Sequence, residues 1–551
     1  MSAKISRALA VIGTSLLWAS CGAGGGEGTG TGGTTGSAGT TGAAGVTGTA
    51  GTSASGVAGT TGQAGAAGGN GGSSTGAAGD GTTGTGGSAA GQAGGPGAAG
   101  RGGSGGGNPG TGGRGGSAGG VTGTAGSGTG GTAGRGGSSA GTGGSVAGSG
   151  GSSATGTGGS SATGTGGLPG SYDKENTGAD CPAPPAPVAF SALPAIANLP
   201  DPFLMTNGTR ITTKDQWRCR RAEIKSIVEY WESGPKGAPP TSLTATLSGG
   251  KLTVVATQGS TSITLSGTLS TPSGNGPFPL IIGMNTATGS LPASIFTGHG
   301  VATLTFTSSQ LVPDAFNVPR GGGAYFTAYP DKNAGAMIEW AWGVSRLIDG
   351  LYKTTDTNKI DLKRIGVTGC SYQGKMALYA GAFDERIALT MPEESGGGGE
   401  ASWRFMATQT GTEDLEAAQG TAWYAQNLLQ FKNKDAPKLP IDMHELVAMV
   451  APRAILAIEN TGIDRLGSQA GSVSMKAATE VYKALGIPDR IGFTQAQASA
   501  HCSFPSSQTA DVQAFVDKFL GGVASANTNI AKSSYSTDLT KWITWTTPTL
   551  Q

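Results

Sequence analysis

The 551-residue chain has only three histidines and five cysteines. None of them stands at a spacing that holds zinc, so a metal role is not expected. Net charge is +1, with 35 basic and 34 acidic residues, which gives no ground for nucleic acid or another polyanion as partner. Long apolar runs are absent too: the run Ala8–Trp18 that follows Lys4 and Arg7 is too short to cross a bilayer and reads as a signal peptide. Between about residues 22 and 170 there is almost no aromatic or large aliphatic side chain. Such a stretch cannot bury enough apolar area to offset the entropy of ordering. Glycine does not recur every third residue there, which excludes a collagen-like helix.

What remains is a chain in parts. Residues 1–21 are the signal peptide, and Leu17-Trp18-Ala19-Ser20-Cys21 resembles a bacterial lipobox, with Cys21 as the lipidated residue. The chain is therefore expected to be exported, as a bacterial cell-surface or outer-membrane lipoprotein attached to a membrane through Cys21, or as a secreted protein. Residues 22–170 form a Gly/Ser/Thr/Ala tether, with Gly-Ser-Ser-Ala-Thr-Gly-Thr-Gly repeated at Gly151 and Gly159; as a random coil it spans roughly 60–75 Å root-mean-square. Residues 181–522 read as one catalytic domain, and 523–551 as a polar extension that packs on it or stays loose. With Cys21 set aside, four cysteines allow three disulfide pairings, of which we expect Cys181–Cys219 and Cys370–Cys502.

The domain alternates apolar strands with amphipathic helices, the pattern of an α/β fold. Strands are expected at Leu243–Leu247, Leu252–Thr257, Ser262–Thr268, Pro279–Met284, Val301–Phe306, Arg364–Thr368, Ile387–Met391, Ala454–Glu459 and Arg490–Gln495. The first three alternate in polarity and extend the sheet antiparallel at one edge; the later ones are buried runs, as parallel strands are. Ala334–Leu351 is a core helix.

Ile365-Gly366-Val367-Thr368-Gly369-Cys370-Ser371-Tyr372-Gln373-Gly374-Lys375 carries the chemistry. It reads as a buried strand turning sharply into a helix, with Ser371 at the turn as nucleophile and glycines at −2 and +3 leaving room for strain. Gln373 stands where a Gly-x-Ser-x-Gly motif has its second glycine. A serine nucleophile needs an imidazole base and a carboxylate that holds it. His501 follows the last strand, the place of the base in an α/β-hydrolase; His299 and His444 read as structural or solvated. Glu394, after Ile387–Met391, and Asp464, after Ala454–Glu459, compete as the acid, and topology alone leaves both open.

These segments together resemble the glucuronoyl esterases of carbohydrate esterase family 15. The resemblance rests on Gly369-Cys370-Ser371 with Gly374-Lys375, Asp384 through Gly396, Trp403-Arg404 and His501-Cys502-Ser503-Phe504-Pro505. It extends to Trp217 through Arg221, Trp340 through Arg346 and Ala451-Pro452-Arg453. It implies an α/β-hydrolase three-layer sandwich and a serine esterase without cofactor, acting on the ester between (4-O-methyl)glucuronic acid of glucuronoxylan and a lignin alcohol. By the same resemblance Glu394 is the acid, with Asp464 in reserve, and Lys375 binds sugar hydroxyls. The chain departs from the family where arginine usually follows the serine and contributes to the oxyanion hole: Tyr372 stands there. Arg465 replaces a sugar-site tryptophan, and Glu413 and Thr421 fall where the family has Gln and Glu. Arg465 is expected to restore the positive charge lost at 372. The rival readings are an esterase for another uronate or acyl ester and a non-catalytic surface carbohydrate-binding protein. A monomer is expected.

Overall fold

The computed structural model describes residues 174–312, 320–331 and 333–551. The signal peptide, Cys21 and the whole of the tether lie outside them. The strands are β1 Ser242–Ser248, β2 Lys251–Gln258, β3 Thr261–Ser270, β4 Phe278–Met284, β5 Ala302–Phe306, β6 Ile360–Cys370, β7 Ile387–Glu393, β8 Ala454–Asn460, β9 Ile491–Ala496 and β10 Ala531–Lys532. They form one sheet in the order β10-β9-β8-β7-β6-β4-β5-β3-β2-β1. Pairing is parallel from β10 to β5 and antiparallel from β5 through β3 and β2 to β1.

Side-chain direction alternates along each strand, so neighbours in sequence enter different layers. Leu280, Ile282, Ile365, Val367, Ile455 and Ala457 belong to one core, whereas Ile281, Leu389, Met391, Leu456 and Ile458 belong to another on the opposite face. The first is covered by α2 (Ala336–Lys353), buried on nearly every side, and α3 (Tyr372–Phe383). The second is covered by α4 (Thr509–Phe515) and a π turn through Leu520. A three-layer α/β-hydrolase sandwich results. α1 (Lys214–Val228) opens on a capping box, Thr213 accepting from Gln216 N–H while the Gln216 side chain accepts from the backbone of Thr213.

The ends of the domain are tied down. Glu175 pairs with Lys236, Arg346 and Arg386, and Cys181 is disulfide-bonded to Cys219. Residues 523–551 pack on the domain: β10 adds to β9, Ile530 and Leu550 are buried, and Trp545 stacks on His444 with centroids 5.7 Å apart. Gln551 donates its N–H to Thr212 O and accepts from Lys214 N–H. Among the described residues no helix is long and apolar enough to cross a membrane.

Candidate active site

β6 ends at Cys370 and α3 begins at Tyr372, which leaves Ser371 alone in the turn with φ 64° and ψ −131°. That backbone is costly for a residue with a Cβ, of the order of 1–3 kcal/mol. The turn is held by Ser371 N–H donating to Glu393 O at 2.9 Å and by Lys375 N–H donating to Ser371 O at 3.0 Å. A Cβ on Gly369 would lie 2.6 Å from Gln373 O, and one on Gly374 would strike Glu393 O. The two glycines flanking the serine are thus required by packing, and α3 can start directly against β7.

His501 lies in the loop after β9. Cys370 and Cys502 form a disulfide with Cα atoms 5.9 Å apart, joining the residue before Ser371 to the residue after His501. Both sulfurs and an imidazole nitrogen of His501 lie within 4.8 Å of one another. A disulfide offers no thiolate to a metal, so this cluster marks the closeness of the two loops. His501 Nδ1 is 2.8 Å from Glu394 Oε2, and the same oxygen accepts Cys502 N–H at 3.0 Å. Glu394 is 3 % exposed; its positive φ of 45° and its N–H bond to Ile458 O turn it out of β7 toward His501. Asp464 sits exposed at the start of a 3-10 turn. Glu394 is therefore the carboxylate bonded to the imidazole. The other histidines are placed elsewhere: His299 pairs with Asp517, and His444 is buried with Nε2 on Pro200 O, burial pulling it down to about 4.

On the other side of Ser371, Lys375 is buried, with Nζ donating to Ser395 O at 2.6 Å and to Glu413 Oε2 at 2.9 Å. It also lies 5.6 Å from the centre of the Trp423 ring. Glu413 Oε1 accepts from Arg465 Nη1 at 2.5 Å. One carboxylate thus bridges two cations. Arg465, expected to restore the charge lost at position 372, has its guanidinium on Glu413. Thr421 lines a small pocket with Glu413, Trp423 and Tyr424. Tyr372 stacks on Trp423, centroids 5.9 Å apart, and its phenol oxygen accepts from Asn285 Nδ2 at 3.1 Å.

Sequence reasoning missed Asn285. The signal was available, since an asparagine just after a buried strand tolerates positive φ (61° here). Two buried carboxyls close to the site also have displaced titrations. Burial pushes Glu393 up to about 8, against the lowering effect of its hydrogen bonds with Ser290 and Thr368. Burial and the facing Glu400 carboxyl push Glu459 well above the usual carboxylate range.

The family model described as "Glucuronyl esterase, fungi" matches residues 254–486. The 4-O-methyl-glucuronoyl methylesterase of Hypocrea jecorina is 41% identical over 380 residues, covering 68% of this chain and 80% of that protein. A glucuronoyl esterase catalytic domain from Hypocrea jecorina, 41% identical, superposes with a TM-score of 0.62, at 67% of this chain and 100% of that one. A glucuronoyl esterase from Sporotrichum thermophile, solved as a serine-to-alanine mutant with methyl 4-O-methyl-β-D-glucopyranuronate, matches at 38% identity and a TM-score of 0.59, covering 65% and 97%. A glucuronoyl esterase of carbohydrate esterase family 15 from Caldicellulosiruptor kristjansonii matches at 29% identity and 0.58, covering 65% and 99%. With its serine turn, imidazole and carboxylate gathered at the strand ends of this sheet, the chain belongs to the glucuronoyl esterases of carbohydrate esterase family 15, serine-type hydrolases of carboxylic esters.

Proposed function

We propose that this glucuronoyl esterase cleaves the ester between (4-O-methyl)glucuronic acid on glucuronoxylan and a lignin alcohol, by a Ser-His-Glu mechanism. Ser371 Oγ attacks the uronoyl carbonyl while His501 takes its proton. Glu394 holds Nδ1–H and stabilises the imidazolium. The backbone N–H of Tyr372, at the start of α3, faces the oxyanion that forms. His501 returns the proton to the leaving alcohol, and a water activated by the same imidazole frees the acid and Ser371. Lys375, with two of its three N–H groups engaged by Ser395 and Glu413, has a donor for a sugar hydroxyl. The observation that carries the mechanism is the 2.8 Å His501–Glu394 contact on a loop that a disulfide clamps beside Ser371. The uronate reading draws support from the ligand of the Sporotrichum relative. A working place outside the cell, with the domain on its Gly-rich tether, suits an insoluble polymer substrate.

A second reading, an esterase for a different uronate or acyl ester, is favoured by the Lys375–Glu413–Arg465 bridge. A carboxylate between two cations gives the sugar side of the site a charge distribution that a neutral glutamine could not. The test is hydrolysis of a benzyl ester of glucuronic acid beside an aryl acetate and methyl galacturonate, with Ser371→Ala as control. Serine-dependent cleavage chiefly of the glucuronate is the expected result. Preference for another ester would select the second reading, and turnover in Ser371→Ala would refute the mechanism.

A further inference from the structure

Next to Glu394 on β7 stands a second carboxyl that the mechanism does not use. Glu393 is 1 % exposed, and its bonds run to three parts of the site. Its backbone O accepts Ser371 N–H. Its Oε2 accepts the backbone N–H of Ser290 at 3.3 Å and bonds the Ser290 hydroxyl, both in the loop 285–291 that follows β4. Its Oε1 is 2.9 Å from Thr368 Oγ1 on β6. The same loop carries Asn285, which holds the phenol of Tyr372. Gly289 (φ 65°) has no room for a Cβ, which would strike Glu393 Oε1 and come 3.1 Å from Gly369 Cα. In this fold that loop borders the oxyanion site.

Proton counting favours a neutral carboxyl. Thr368 Oγ1 is also 2.9 Å from Met391 O, which only accepts. A hydroxyl has one proton. Bonding both neighbours requires the threonine to donate to Met391 O and to accept from Glu393 Oε1, which must then carry a hydrogen. Ser290 supplies donors to the other oxygen, as a neutral acid's carbonyl requires.

We propose that Glu393, as the neutral acid, is a positioning residue that fastens the loop 285–291 to the nucleophile turn, and that its ionisation loosens this fastening and lowers turnover. Of the elements packed around it, the loop 285–291 and β6 bring hydroxyl and backbone groups. α3 brings Lys375, turned to Ser395 and Glu413; β8 brings Glu459 beside its pairing partner Ile458; its own strand brings Glu394, with His501 beyond. Loss of the proton would place a second negative charge next to Glu394, with no cation bonded to it among the described residues, and would draw the single Thr368 hydroxyl proton away from Met391 O.

This inference rests on Ser371 as nucleophile but not on which ester is preferred. The experiment is therefore run on an aryl acetate as well as benzyl glucuronate, with spontaneous hydrolysis subtracted, and is paired with thermal unfolding, which needs no substrate. Wild-type kcat should fall about tenfold per pH unit above pH ~8.5, as the neutral fraction does. Glu393→Gln carries a neutral amide in the same shape, so its kcat should stay flat to pH 9.5. Glu393→Ala should lose kcat at pH 6.5 with little change in KM, and Gln should rescue that loss. Folded-state titration near 8 against 4.5 unfolded means that stability is full below pH 4.5 and drains away as pH rises to about 8. Glu393→Gln should remove that slope. An unchanged alkaline limb and an unchanged melting slope in Glu393→Gln would overturn the proposal, as would full activity in Glu393→Ala. Failure on benzyl glucuronate alone would count against the proposed substrate and leave Glu393 to be judged on the aryl acetate.

Discussion

Replacing Glu394 by glutamine separates the charge of this carboxylate from its geometry. Both donors that reach it, His501 Nδ1 at 2.8 Å and Cys502 N–H at 3.0 Å, meet the same oxygen, Oε2. A glutamine with its carbonyl oxygen there keeps both hydrogen bonds, so the loop after β9 should stay in place and the melting temperature should move by only a few degrees. What disappears is the attraction between a carboxylate and the imidazolium that forms when Ser371 gives up its proton. With charge centres roughly 4 Å apart and an effective dielectric constant of about 20, that attraction is about 4 kcal/mol. At 1.36 kcal/mol per decade, kcat should fall about 10³-fold, with KM nearly unchanged because the charge acts only in the transition state. The assay is steady-state hydrolysis of benzyl glucuronate at pH 7, beside Asp464→Asn, for which we expect less than a threefold change. A loss below tenfold in Glu394→Gln, or an equal loss in Asp464→Asn, would refute the assignment of the acid.

Glu413→Ala should raise KM for the glucuronate and reduce stability to urea, since it leaves buried Lys375 without its counter-charge; the cost of breaking such a pair is about 3 kcal/mol, Arg465 contributing little because a third of it is exposed. Unchanged KM and unchanged unfolding midpoint would show the bridge to be incidental. Burial pushes Glu232, bonded by Trp403 Nε1 and Tyr379 Oη, up to about 8. Its contribution is complete below pH 4.5 and declines by ~1.4 kcal/mol per pH unit as pH rises toward 8; Glu232→Gln should flatten a stability profile measured by denaturant titration over that window, and an identical slope would contradict this. Removing residues 523–551 strips β10, Ile530, Trp545 and Leu550 from the domain. Each buried apolar side chain is worth about 1.5–3 kcal/mol, so the shortened protein should be insoluble or melt more than 10 °C lower, and a soluble product with the parental melting curve would refute that.

The nine longer strands were readable because each leaves a pattern: alternation in β1–β3, buried runs in β4–β9. β10 left none, since two exposed residues, Ala531 and Lys532, gain their place only from the edge of β9. Glu394 and Asp464 look alike in sequence, both lying just past a buried strand. What separates them is a turn of the backbone at Glu394 that no composition signals. Lys375, Glu413 and Arg465 could each be named, but not their union, because the contacts join residues 38 and 52 positions apart. The Glu175 network at the start of the domain was hidden for the same reason: Arg346 lies 171 residues further along the chain.

The Cys370–Cys502 bridge closes a ring of chain 132 residues around, and that ring contains β7, β8 and β9 with the helices between them. Within it the serine and the imidazole are next-door neighbours of the same covalent knot. Thermal opening of β8 or β9 can widen the ring elsewhere, yet it cannot carry one reactive group away from the other. Heating should therefore dull this catalyst late, after parts of the sheet have begun to breathe, for as long as the two sulfurs stay joined.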